Sequence, residues 1–284
     1  MADSDHGLFG PDSVTWQVHS DPVMWIAGVR ALYLQALHPR AVRGVTQNSD
    51  FQQDAWGRLL RTAAFVGCIT YGTSAEAERA GARVRGLHRR LWATDPTTGE
   101  RYRVDEPALL LWVHCAEVDS YLHVARRSGV PLSDEQADRY LDEQRAAARL
   151  VGLEPAQVPR STAELYAYFR AVRPGLAATP ESAAVNAFLR RPPVPPPLIP
   201  ARGLLWSQAA AVAYGTLPPF GHKLYSRYAP APGVVTKRLT RAAKALRAIP
   251  PEARWKLPPG HIVKAVARLG PDARPSLERL RQLS

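Results

Sequence analysis

Residues 107–129 read "PALLLWVHCAEVDSYLHVARRSG", and the way this stretch folds decides the fold of the chain. Leu110, His114, Val118 and Tyr121 recur at helical offsets, so one side of a single long helix carries them inward until Gly129 stops it. The flanking segments have the same period. In "DPVMWIAGVRALYLQALHP" (21–39) the apolar positions Trp25, Val29, Leu32, Ala36 and Leu37 repeat until His38-Pro39 interrupts them. "DAWGRLLRTAAFVGCITYG" (54–72) predicts another helix, and "TSAEAERAGARVRGLHRRLW" (73–92) opens on Thr73 with Glu76 three residues later, the spacing of a capping box. Ser133 with Gln136, and Ser161 with Glu164, repeat that signature further on, and Gly152 closes the helix that Ser133 opens. Alternating strand patterns are scarce. The predicted fold class is therefore all-α, a single helical domain.

Six prolines between Pro192 and Pro200 in "RRPPVPPPLIP" (190–200) cannot continue a helix, and are expected to form a rigid crossing strut. The apolar run after it, "RGLLWSQAAAVAYGTLP", needs the same core. The expected organisation is an N-terminal segment (1–20), a helical domain (21–235) and a basic C-terminal helical extension (236–284) packed on that domain. The 284 residues carry 37 Lys and Arg against 25 Asp and Glu, a net charge of +12, and 46% of them are hydrophobic, enough for a sizeable core. Most of the excess charge is local, because residues 237–284 hold twelve basic side chains and three acids. These basic residues are not interleaved with stacking aromatics, so no nucleic-acid partner is expected. Cys68 and Cys115 lie in apolar runs and give neither a disulfide framework nor a four-ligand zinc spacing. The first residues lack the pattern of a secretory signal, and no apolar run reaches the roughly 18–20 residues that span a bilayer. A cytoplasmic, soluble protein is the expectation.

Three constellations carry chemistry. Val84, His88, Leu91 and Trp92 stand at i, i+4, i+7 and i+8, which turns the His88 imidazole toward the apolar side of a helix otherwise crowded with arginine. Such a histidine is either a core residue bonded to a backbone carbonyl or a ligand to haem iron or another metal. His114 has a similar setting on the next long helix. Glu117, one turn beyond, would be a third zinc ligand, but no clustered motif such as HExxH supports zinc. Arg58, Arg61 and Thr62 form a polar strip at i, i+3 and i+4, which either faces water beside Asp50 or Asp54, or meets an anionic group such as the carboxylates of haem. Gln35 and His38 stand three apart beside Pro39, with His38 as a helix C-terminal cap or a residue at a pocket mouth.

Taken in order, "LYLQALHPRAV", "GRLLRTAAFVGCITYGT", "RVRGLHRRLW" and "LLLWVHCAEVDSYL" resemble the family of MpaB-type oxygenases and rubber oxygenases (latex clearing proteins), from about Met24 to about Arg170. The resemblance implies an all-α protein holding b-type haem between core helices, which uses dioxygen on an apolar small molecule, an isoprenoid or a specialised metabolite. It gives His88 the role of proximal iron ligand, with His114 the alternative axial residue. It sets Arg58, Arg61 and Thr62 by the distal face, Arg61 and Thr62 as catalytic residues and Arg58 and Arg61 as cofactor contacts. One departure stands out: Arg61 occupies the position where the rubber-cleaving branch has a lysine able to cap the iron, and a guanidinium is a very poor ligand. The competing expectations are a haem-dependent dehydrogenase or peroxide-using oxidase of a specialised metabolite, a basic helical protein binding nucleic acid or a membrane surface, and a haem carrier.

Overall fold

The computed structural model describes residues 5–49, 55–192, 206–256 and 260–283; within the helix that begins at Ala55, the side chains of residues 55, 56 and 58 are outside the description. The chain is predominantly helical. In order the elements are α1 (Val14–His19), α2 (Met24–Gln35), α3 (Pro39–Gln47), α4 (Ala55–Tyr71), α5 (Ser74–His88), β1 (Trp92–Thr94), β2 (Arg101–Arg103), α6 (Pro107–Arg127) and α7 (Asp134–Val151). There follow α8 (Thr162–Val172), α9 (Pro180–Arg190), α10 (Ser207–Gly215), α11 (Pro219–Leu224), α12 (Pro232–Arg247), α13 (Pro251–Arg254), α14 (His261–Leu269) and α15 (Leu277–Gln282).

The decisive stretch forms α6, which packs along α2 at the centre of the molecule. Trp112, Cys115, Ala116, Val118 and Val124 of α6 meet Val29, Tyr33 and Leu34 of α2 in the main core. Between the two helices lies a buried charge. The Arg30 guanidinium, 2% exposed, pairs with Asp119 at 2.7 Å, and donates to the Ser120 hydroxyl at 2.6 Å and to the Thr216 carbonyl at 3.1 Å. Three hydrogen-bonded partners offset the desolvation of that cation.

The helix starts follow the capping chemistry. Thr73 and Ser133 both form complete capping boxes, with Glu76 and Gln136 reaching back, and Ser161 accepts from the Glu164 amide. Gly152 ends α7 with φ of 104°, a conformation that costs glycine nothing. Two local expectations change. α5 stops at His88, and Trp92 begins a strand that pairs with Arg103 across the turn at 95–100, so Leu91 and Trp92 do not share a helical face with His88. The turn-rich "DPTTGE" closes a hairpin, and Arg101 stacks on the Trp92 ring at 4.7 Å, which favours strand over a further helical turn. His38 caps the N-terminus of α3, with Nδ1 accepting from the Ala41 amide, and Pro39 takes the first helical position.

The proline-rich strut expected at 190–200 lies mostly outside the described residues, α9 ending at Arg190. The basic C-terminal region contributes to the core: Leu239 and Ala243 of α12 and Leu280 of α15 are buried in the main cluster. No described helix is long and apolar enough to cross a membrane.

Candidate functional site

A cavity of about 360 Å³ opens between α1, α2, α4, α6, α9 and the chain after α12. Its size falls in the range of small-molecule sites. Trp25, Val45 and Thr62 are on its wall and exposed, which sets the mouth; Thr70, Tyr121 and Leu189 are on its wall and buried, which sets the floor. Leu246, Ile249, Trp255 and Ile262 close one side, so the basic C-terminal region turns its apolar side chains to the cavity.

The floor carries a polar cluster. α1 begins with Ser13, whose hydroxyl accepts from the Trp16 amide, while Glu143 of α7 accepts from the Val14 and Thr15 amides at 3.0 and 2.8 Å. A carboxylate at these orphan amides favours the helix N-terminus and fixes α1 against α7. Its last residue, His19, therefore sits at a defined place. His19 Nδ1 lies 3.0 Å from the Thr70 hydroxyl and Nε2 lies 3.1 Å from the Tyr140 hydroxyl. Thr70 gives its own proton to the Val66 carbonyl at 2.8 Å, so it accepts from Nδ1–H and leaves Nε2 to accept from Tyr140. Burial holds this imidazole neutral, with its pKa pushed down to about 3.

Glu117 projects into the same cavity from α6. Removal from water pushes its pKa up to about 7, and the Tyr121 hydroxyl hydrogen-bonded to it pulls in the opposite direction. The cavity's other carboxylate is committed: Asp21 accepts from Arg247 at 2.8 Å and from the Val23 amide at 3.0 Å. Also on the wall, Gly67 leaves room for the His261 ring, since a Cβ there would lie 2.5 Å from Cδ2. Burial lowers the His261 pKa, and its Nε2 has no hydrogen-bond partner.

Of the residues singled out in the sequence, Thr62 lines this cavity and Arg61 is exposed on the same helix. The side chain of Arg58 lies outside the described residues. His88 ends α5, half-buried, away from the cavity wall, with Nδ1 buried and unpartnered. Burial lowers its pKa, and the Asp105 carboxylate acts the other way. Leu87 and Trp92, on either side of it in the chain, are 55% and 40% exposed. His114 is buried on α6 with Nε2 unpartnered and its pKa pushed down to about 4 by burial. Among the described residues no three His, Cys, Asp or Glu side chains gather into a metal-ligand set, so the zinc arrangement of His114 and Glu117 does not form.

Sequence reasoning reached Glu117 only as a zinc candidate, put Tyr121 on the inward side of its helix without a role, and passed over His19, Thr70 and His261. One signal was present: Glu117 and Tyr121 stand three and seven residues beyond His114, and share its inward side. His19 offers none, because its partners lie 51 and 121 residues away.

A predominantly helical fold thus encloses an apolar cavity with a few convergent polar groups, of the size and lining that small-molecule sites have. The model of the catalytic domain of ER-bound oxygenase mpaB/B' and rubber oxygenase matches residues 16–274, and the chain belongs to that family. No curated protein and no solved structure matches it in the corresponding comparisons.

Proposed function

We propose that this chain is a haem b-dependent oxygenase that binds an apolar small molecule, an isoprenoid or a specialised metabolite, in the cavity of α1, α2, α4 and α6 and oxidises it with dioxygen. The observation that carries the reading is the cavity itself, apolar over most of its wall and lined by residues from one end of the family-matched segment to the other. Membership of an oxygenase family supports an oxidoreductase, a small-molecule substrate and dioxygen as co-substrate.

The donor set fits haem. A porphyrin supplies four ligands to its iron, so the protein need offer only one or two, and the lack of a three-residue cluster is no obstacle. His88 has an uncommitted buried nitrogen, and burial favours its neutral form, the form that binds a metal. Leu87, the residue before it, leaves exposed apolar surface at the same end of α5. His88 is assigned as the residue that would hold the iron. Bound haem would supply the oxygen chemistry. The chain's own residues do the rest. The apolar wall excludes water and Thr62 offers a hydroxyl at the cavity mouth; the family resemblance assigns Arg58 and Arg61 of the same helix to the acidic groups of haem. His19, locked by Thr70 and Tyr140, keeps the floor rigid and neutral.

The test is haem retention. His88→Ala, expressed with haem supplied, is expected to purify with less than a tenth of the wild-type haem while keeping its helical circular dichroism. Full loading with an unchanged spectrum would contradict the assignment.

A further inference from the structure

We infer that Glu117 is the anchoring group of the cavity, where its carboxyl takes the alcohol or carbonyl oxygen of an otherwise apolar ligand. The inference rests on reading the cavity as the substrate site and names the class of substrate.

It follows from what each polar group on the floor already does. His19 has both nitrogens engaged, Thr70 is bonded to His19 and Val66, and Asp21 is held by Arg247 and the Val23 amide. Glu117 has the Tyr121 hydroxyl and no compensating cation among the described residues. A carboxyl offers up to four acceptor sites, or a donor as well when it is protonated, so most of its capacity is unused. An acid left in an apolar cavity costs stability, and among the described residues this one caps no helix and joins no ion pair. The unspent capacity faces space that a ligand would fill.

The class of ligand follows from the charge. The Tyr121 hydroxyl is bonded to the carboxyl and Tyr140 is close enough to feel its charge, while His19, Asp21, Tyr71, Arg254 and His261 line the same cavity. Burial disfavours ionisation of Glu117, so an amine would have to force it. A carboxylate ligand would meet a like charge whenever Glu117 is ionised. The neutral acid can donate to a carbonyl, and can both donate to and accept from an alcohol.

A competition experiment separates the arms. Nile red bound to the full-length protein is displaced by decane, 2-decanone, 1-decanol, decylamine and decanoate at pH 6 and pH 8. A ketone only accepts, so it needs the protonated acid; the protonated fraction of a group titrating near 7 falls about tenfold across that interval, and ketone affinity is expected to fall with it. Decanol, able to donate to the ionised form, should change little. E117Q keeps a donor and should bind ketone equally at both pH values, whereas E117L should lower ketone binding to the level of decane. Wild-type protein that binds 2-decanone no better than decane at pH 6 would overturn the inference while leaving the cavity as a substrate site. Decylamine binding tightest, and more so at pH 8, would overturn it in favour of an amine site. If no probe, decane included, displaces the dye, both readings fall. The pH comparison in wild type stands even if a variant fails to fold.

Discussion

At the scale of single residues, buried polar groups differ in how far their hydrogen-bonding capacity is used: some are fully engaged, and others, Glu117 in the cavity among them, keep capacity to spare. Arg30 belongs to the first kind, and Arg30→Ala is expected to lose about 3 kcal/mol by chemical denaturation, because Asp119 and the Thr216 carbonyl then lose their donor. Gly67 acts through the side chain it lacks. Gly67→Val would drive a side chain into the His261 ring and should cost roughly 1–3 kcal/mol, with displacement of the dye-binding site visible in the same titration. The inward placement of His114 and Tyr121 was legible from period alone, and both are buried. The role of Glu117 was not, because a carboxyl's capacity becomes visible only when its neighbours' hydrogen bonds can be counted. His19 is the extreme case, an unremarked histidine at the end of a six-residue helix whose meaning depends wholly on α4 and α7.

At the scale of elements, caps were the most readable feature. Ser, Thr and Gly at helix ends act through bonds made within three or four residues, so sequence contains the whole interaction. Thr73→Ala should cost about 1 kcal/mol and raise amide exchange in the first turn of α5, leaving the α7 box unaffected. Where an end is set by a partner distant in sequence, reading fails. The periodic pattern runs α5 on to Trp92, but pairing with Arg103 takes that residue into a hairpin, and His88 becomes a terminal residue. Its half-burial therefore comes from packing at the end of the helix, with Asp105 nearby, and not from a continuous apolar stripe.

At the scale of the molecule, the helical class and the single core were legible, while the contribution of the C-terminal region to the cavity was not. Its charge dominates the sequence, but Leu239, Ala243 and Leu280 are in the main core and Trp255 and Ile262 line the cavity. Truncation after Val235 is therefore expected to expose the core, read as a large rise in dye binding and loss of cooperative melting. Acid should also act globally. His19, His114 and His123 titrate near 3, 4 and 4 when folded, against 6.5 when unfolded, so the unfolded chain takes up their protons first. Their contribution is intact above pH 6.5 and is lost as pH falls below it. Glu117 works the other way between 4.5 and about 7, since its folded form holds the proton. The expected slope is about 2 kcal/mol per pH unit near pH 5.5, steepened in E117Q, and urea midpoints across pH 5–8 would measure it.

The central proposal is that this fold holds haem through His88 and takes an apolar substrate in the cavity of α1, α2, α4 and α6. Its most direct test is the absorption spectrum of the protein purified after expression with haem, oxidised, reduced with dithionite, and then exposed to carbon monoxide. The account predicts a Soret band near stoichiometric intensity that moves on reduction and again with carbon monoxide, and that is absent from His88→Ala. A featureless spectrum, with no iron by elemental analysis of the folded protein, would contradict it.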